Sequence, residues 1–313
     1  MPTLVTGAGL IGASYAQQAL RRGEQVVFLD PFPRRDYLKA KLGNAPFEVV
    51  EDDVRNIGAL VDVLTSRKID RVLHTASRIG HKAAKPLHEG FSLNVGGTQA
   101  VAEAVRLAKV PRLVHISTFG AYDWRRPMPK PIDEDFPRGS GVPYSNFKVA
   151  QELILEAWSR TYGFELIVLR PANTYGVGHF WGGSGGGEKV QDLIVAGLEG
   201  RTARIPEEQT MAFEYVSAKD VGAAIDRAMT CPMPKFNTFN IGTGVTTTFD
   251  QLVAVIQSQL PRLKVEIEPG TPPVSRLQRL DLTRAREHLG WTPVHTLETG
   301  FADYIAEMKA MRG

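Results

Sequence analysis

Three glycines near the start of the chain, Gly7, Gly9 and Gly12 in the run TGAGLIG, constrain the fold more than any other feature. They follow a short apolar run (Leu4, Val5) and open a stretch with helical spacing from Ile11. That strand, turn and helix context is what separates a nucleotide-binding loop from a chance cluster of glycines. Each glycine then has a reason. Gly7 permits the tight turn, Gly9 lets the backbone amides of the loop, with Leu10 and Ile11, approach a pyrophosphate, and Gly12 lets the helix pack on the strand. The helix N-terminus favours the anion.

The rest of the first half alternates in the same way. Short β-rich runs at 4–6, 25–30, 47–53, 71–76, 112–118 and 165–171 are separated by segments with helical spacing, at 11–22, 57–67, 94–109 and 144–162. Near-continuous apolar strands between helices predict a doubly wound parallel sheet covered on both faces, with ligands at the carboxyl ends of the strands. After Pro171 the rhythm breaks, and a second, smaller α/β substrate domain is expected. FNTFNIGTG at 236–244 reads as a further strand of the first sheet. The expected division is therefore interleaved: residues 1–172 and about 213–245 in the nucleotide domain, about 173–212 and 246–313 in the smaller one. The glycine-dense run from Gly182 to Gly187 reads equally as a lid or as a plain flexible connection.

Bulk properties exclude several classes. A hydrophobic fraction of 43% supplies a core, and a net charge of +3 without a basic stripe implies no nucleic-acid partner. No apolar run approaches the length of a membrane span, and one cysteine, Cys231, forms no internal disulfide. With the glycine loop beginning at residue 7, no signal peptide is expected and a cytoplasmic location is. His81 and His88 stand seven apart without Cys or carboxylate partners, so no metal site is expected.

Asp30 ends the second β-rich run, at the distance where a carboxylate accepts hydrogen bonds from an adenosine ribose diol. That favours NAD. Arg34 and Arg35 follow closely, and either could pair with a 2′-phosphate instead. Further on, Tyr144 and Lys148 are four residues apart, on one helix face. A phenol titrates near pH 10, so acid/base work near neutrality calls for a cation that favours the phenolate, and Lys148 supplies one. Thr118, ending the fifth run, places a hydroxyl at the same sheet edge.

Taken in order, TGAGLIG, VEDDVRN, HTAS, NVGGT, HISTFGAY, YSNFK, LRPANTYG, FNIGTG and LGWTP span almost the whole chain. Their combination resembles the NAD-dependent epimerase/dehydratase group of extended short-chain dehydrogenase/reductases. The resemblance implies Tyr144 as acid/base, Lys148 as phenolate stabiliser and nicotinamide-ribose ligand, and Thr118 as the hydroxyl that orients substrate. It also implies Asp53 and Val54 at adenine, Thr75, Ala76, Ser77 and Asn94 along the cofactor, Pro171 near nicotinamide, and Asn173 beside the substrate. Asn94 reads equally well as a brace for the backbone. A homodimer is implied through the helices after Asn94 and Tyr144, whose apolar residues include Val101, Ala104, Val105, Leu153, Ile154 and Trp158.

Three departures from the family pattern narrow the expectation. The loop has one residue fewer between its first two glycines. Thr118 is followed by Phe119 and Gly120, where dehydratases and decarboxylases of the group carry acidic residues. The stretch PEEQTMAFEYV places Met211 where nucleotide-sugar enzymes carry a diphosphate-binding arginine, with Arg276 or Arg279 as conceivable substitutes. The expected activity is hydride transfer at a secondary alcohol or ketone of a small sugar-like or hydroxylated substrate. A nucleotide-sugar epimerase with retained NAD is the alternative, and a silent NAD-sensing protein is the reading from another class.

Overall fold

The computed structural model describes residues 1–127, 131–178, 185–273 and 279–312. In chain order its strands are β1 (Thr3–Thr6), β2 (Val26–Leu29), β3 (Glu48–Val50), β4 (Arg71–His74), β5 (Arg112–Ile116), β6 (Glu165–Pro171), β7 (Asn173–Tyr175), β8 (Thr202–Pro206), β9 (Phe213–Ser217), β10 (Thr238–Ile241), β11 (Thr246–Thr247) and β12 (Lys264–Glu268). Its α-helices are α1 (Leu10–Arg21), α2 (Arg35–Leu42), α3 (Ile57–Ser66), α4 (Leu87–Phe91), α5 (Gly97–Leu107), α6 (Pro143–Tyr162), α7 (Gly185–Glu199), α8 (Ala218–Thr230), α9 (Phe249–Gln259) and α10 (Leu297–Ala310).

Seven strands form one parallel sheet in the order β10-β6-β5-β4-β1-β2-β3. The order reverses between β1 and β4, so the crossovers leave on opposite sides and a crevice opens at the carboxyl ends of these two strands. Strands β1, β2 and β4 are buried along their full length, which explains why they read as unbroken apolar runs rather than alternating ones. One apolar cluster joins Val5, Phe28, Leu73, Val114 and Ile167 to the C-terminal half; another joins Leu4, Val27, Val72, Leu113 and Leu166 to α3, α5 and α6. The alternation of neighbouring residues between the two clusters is the period-2 signature of strands covered on both faces.

Residues 213–245 serve two sheets. β9 pairs with β7 and β11 in a three-stranded sheet, whereas β10 pairs with β6 in the large one. β8 and β12, which flank this segment in the sequence, form a two-stranded parallel sheet. Several expected elements are trimmed: β3 ends at Val50, and the helix expected from Asn94 opens as a π-turn over Ser92–Gly96 before α5 begins. Of the lid or connection expected at Gly182–Gly187, residues 182–184 lie outside the described residues and 185–187 open α7. No helix among the described residues is long and apolar enough to cross a membrane.

Candidate active site

The glycine loop is built for a close approach of backbone to ligand. Gly7 has φ +88°, and a Cβ there would sit 2.8 Å from Thr75 Oγ1 and 3.1 Å from the Ala76 nitrogen. A Cβ on Gly12 would sit 2.5 Å from the Gly7 carbonyl oxygen and 2.9 Å from Val5 Cγ1, so α1 could not rest this close to β1. Gly9 differs: nothing lies within 4 Å of its Cβ position. It caps α1 without any side-chain hydrogen bond, and no acidic residue occupies the first turn. The unpaired amides and positive end of α1 therefore face open space, a cradle suited to a pyrophosphate.

That space is a cavity of about 750 Å³ running along the carboxyl ends of the strands, within the size range of small-molecule sites. Its wall contains Gly7, Gly9, Leu10, Ile11, Asp30, Val54, Thr75, Ala76, Ser77, Thr118, Tyr144, Lys148, Pro171 and Asn173, as the sequence leads one to expect. Asp30 is held by the Ala8 and Phe32 amides, each donating to one carboxylate oxygen at 2.8 Å. Arg35 is committed elsewhere, to Glu51 at 2.7 Å.

Three expected cofactor residues do not line the cavity. Gly12 acts one layer below, in the packing of α1. Asp53 accepts from Arg55 Nε and Nη2 at 2.8 and 2.6 Å, bonds that hold its carboxyl below the usual range, so its carboxylate is turned to an arginine instead of the cavity. Asn94 is fully buried and braces the chain: Oδ1 accepts from the Arg78 amide at 2.7 Å and Nδ2 donates to the Arg78 carbonyl at 2.9 Å. The backbone role of Asn94 therefore stands.

α6 carries Tyr144 and Lys148. Pro at its first position needs no amide partner and fixes the helix start beside Tyr144. Burial pushes the Tyr144 phenol up to about 12, against a hydrogen bond with the Thr118 side chain that lowers it. Lys148 is 3% exposed and donates to the Ile116 carbonyl at 2.8 Å. Burial brings its ammonium down to about 7, with Glu152 one turn further along pulling the other way. In the protein alone, burial is the first cause of both shifts.

Glu152 anchors a buried network beneath the pair. It accepts from Arg170 Nε at 2.9 Å and Nη2 at 2.7 Å, from Arg138 Nη1 at 2.7 Å, and from the Ser117 hydroxyl. Burial works against its charge, but these donors outweigh burial and keep the carboxyl below the usual range. Sequence inspection did not single out this network, since Glu152 and Arg170 are 18 residues apart.

The opposite wall was also missed. Lys189, Glu208, Gln209, Met211 and Phe213 line the cavity from α7 and the segment leading into β9. Among these, Met211 was foreseen only as a missing arginine. Arg279, one suggested substitute, is exposed and does not line the cavity, its charge acting on Glu214 and Asp281. Arg276 lies outside the described residues.

A doubly wound sheet, a glycine cradle at its switch point, and a Tyr144/Lys148 pair beside Thr118 define an enzyme of the extended short-chain dehydrogenase/reductase class. The chain belongs to the NAD dependent epimerase/dehydratase family, whose model matches residues 3–242, and its cofactor is NAD. It is 35% identical over 311 residues to a UDP-glucose 4-epimerase of Mycolicibacterium smegmatis, covering 97% of each chain. It is 27% identical to a dTDP-glucose 4,6-dehydratase of Xanthomonas campestris, over 96% of this chain and 91% of that one. In fold it is similar to the UDP-glucose 4-epimerase of Thermotoga maritima solved with UDP-glucose, with a TM-score of 0.86, 24% identity and full coverage of both chains.

Proposed function

We propose that the protein is an NAD-dependent oxidoreductase acting at a secondary alcohol or ketone of a small, hydroxylated, sugar-like substrate that carries no nucleoside diphosphate. The observation that carries this reading is Met211. A thioether occupies the cavity wall where a diphosphate clamp would stand, and a thioether is at best a weak acceptor that offers no donor to a phosphate.

Bound NAD supplies the acceptor and donor of hydride. Gly7, Gly9 and the first turn of α1 would hold its pyrophosphate, and Asp30 would receive its ribose hydroxyls. Tyr144, resting as the neutral phenol, gives its proton to the substrate oxygen in reduction and takes it back in oxidation. The Thr118 hydroxyl shares that oxygen and, by its bond to Tyr144, eases the loss of the proton. Lys148, coming down to about 7, is the group of the site that gains or loses charge near neutrality. Elimination of water calls for a second acid or base at a neighbouring carbon. Thr118 is followed by the short turn Phe119–Ala121, and among the described lining residues the only carboxylates are Asp30, at the cofactor end, and Glu208. Neither follows Thr118, which argues against dehydration.

The Mycolicibacterium smegmatis relative favours a second reading, a nucleotide-sugar epimerase that retains NAD. Incubation with NAD and a panel of sugars, sugar acids and hydroxy acids separates the two. Appearance of NADH supports a dehydrogenase. Silence across the panel, together with micromolar binding of UDP, would promote the epimerase.

A homodimer through α5 and α6 remains our proposal with altered contacts. Val101, Ala104 and Val105 are buried in the chain's own core, so the exposed Leu107, Leu153 and Tyr162 would make the contact.

A further inference from the structure

Lys189 lies on the cavity wall opposite the sheet, and its surroundings are unusual for a lysine. It is 3% exposed, a degree of burial that lysines rarely show without an ion-pair partner. Among the described residues no carboxylate lies within ion-pair distance of it. Its ammonium donates to the Gln209 carbonyl at 2.7 Å and lies 5.1 and 5.3 Å from the ring centroids of Phe213 and Phe249. A carbonyl and two ring faces stabilise a cation but do not neutralise it. An ammonium carries three donors, and the bond to Gln209 uses one of them. Burial brings this lysine down to about 8, which still leaves it mostly protonated at neutral pH.

We propose that Lys189 reads an anionic group on the substrate, a single carboxylate or phosphate, and so replaces the cation that Met211 does not supply. The inference rests on the reading of the cavity as a substrate site and adds the substrate's charge to it. One buried cation beside Gln209 and Met211 matches one compact anion. A diphosphate would bring at least two charges to a wall on which, among the described residues of this segment, the only other ionisable lining residue is Glu208, itself an acid.

A purely structural role for Lys189, tying α7 to the segment before β9, would leave ligand selectivity untouched, and the test turns on that difference. The wild type, Lys189→Gln and Lys189→Arg, all saturated with NAD, are titrated by calorimetry with D-glucuronate, D-gluconate and D-glucose 6-phosphate. D-glucose and D-glucitol serve as the neutral counterparts. Gln keeps a donor for the Gln209 carbonyl and removes the charge; Arg restores the charge. Loss of a charge-assisted bond costs about ten- to a hundred-fold in affinity. The expected result is that at least one anion binds the wild type more tightly than its counterpart by about that factor. The advantage should vanish in Lys189→Gln, return at least partly in Lys189→Arg, and leave NAD affinity unchanged throughout. The carboxylate and phosphate arms tell the two anions apart. The proposal is overturned if no anion outbinds its neutral counterpart, or if the preference survives in Lys189→Gln. Should Lys189→Gln fail to fold, Lys189→Met replaces it, and persistence of the anion's advantage in that variant overturns the proposal. None of these readouts needs turnover, so binding without NADH formation would count against the oxidoreductase reading alone.

Discussion

Replacing Glu152 by Gln removes the only carboxylate among the described residues that Arg170 Nε and Nη2 reach, and leaves a guanidinium that is 3% exposed without its anion. Breaking one side of a buried pair costs about 3–5 kcal/mol, because the remaining charge stays desolvated. Arg138 reaches Glu156 as well, so its loss is partial and does not raise that range. With 313 residues at about 2.1 cal/mol/K each, the unfolding entropy is about 0.66 kcal/mol/K. The expected fall in Tm is then roughly 5–8 °C, read by calorimetry on the NAD-free protein. A double variant, Glu152→Leu with Arg170→Met, should regain most of the loss, since an apolar pair of similar volume avoids desolvating either charge. Glu152 is also what raises Lys148 against its burial, so in Glu152→Gln the Lys148 titration should move below about 7 in the pH profile of kcat/KM. A loss under about 2 °C, or a double variant no better than the single one, would refute the argument that the network is held by a desolvated charge pair.

Other expectations concern the site and the sheet beneath it. Tyr144→Phe should lower turnover by about 10²–10⁴-fold while NAD affinity, followed by calorimetry, stays nearly constant; near-normal turnover removes the acid/base assignment. Asp30→Ala should erode a preference for NAD over NADP, measured as the ratio of their dissociation constants, because the carboxylate that repels a 2′-phosphate is gone; an unchanged ratio assigns selectivity elsewhere. His74 and His115 are fully buried and stacked, with His74 brought down to about 3 and His115 well below its ordinary value, by burial first and Lys148 second. The folded state therefore binds fewer protons than the unfolded chain below about pH 6.5, and stability should fall as pH drops through that range. His115→Leu, which removes one of the two buried imidazoles, should flatten that slope by about one proton in urea titrations; an undiminished slope would place the acid sensitivity elsewhere.

The strands and the face of α6 that carries Tyr144 and Lys148 were legible because their signals are local. A parallel strand buried on both faces is a run of apolar residues, and two side chains four apart share a helix face wherever that helix lies. α2 was not foreseen: its sequence, RDYLKAKL, is largely charged, and only Tyr37, Leu38, Lys41 and Leu42 turn inward. The setting of Tyr144 and Lys148 was illegible for another reason. Spacing announces a neighbouring cation but not how far both groups are withdrawn from water, and withdrawal dominates both shifts. Lys189 carried no local signal. It follows a glycine-rich stretch and acquires its setting from Gln209, Phe213 and Phe249, all at least 20 positions away.

The placement of β10 has a consequence for how the chain must be made. β6 is buried from Leu166 to Pro171, and its outer edge is covered only by residues 238–241, which leave the ribosome after α7, β8, β9 and α8. Until then β6 presents a row of unpaired backbone amides and carbonyls, the kind of edge that recruits strands from other molecules. Shortening the chain anywhere between 172 and 237 would make that transient exposure permanent. Such fragments should accumulate as aggregates, however well the glycine loop before them is formed.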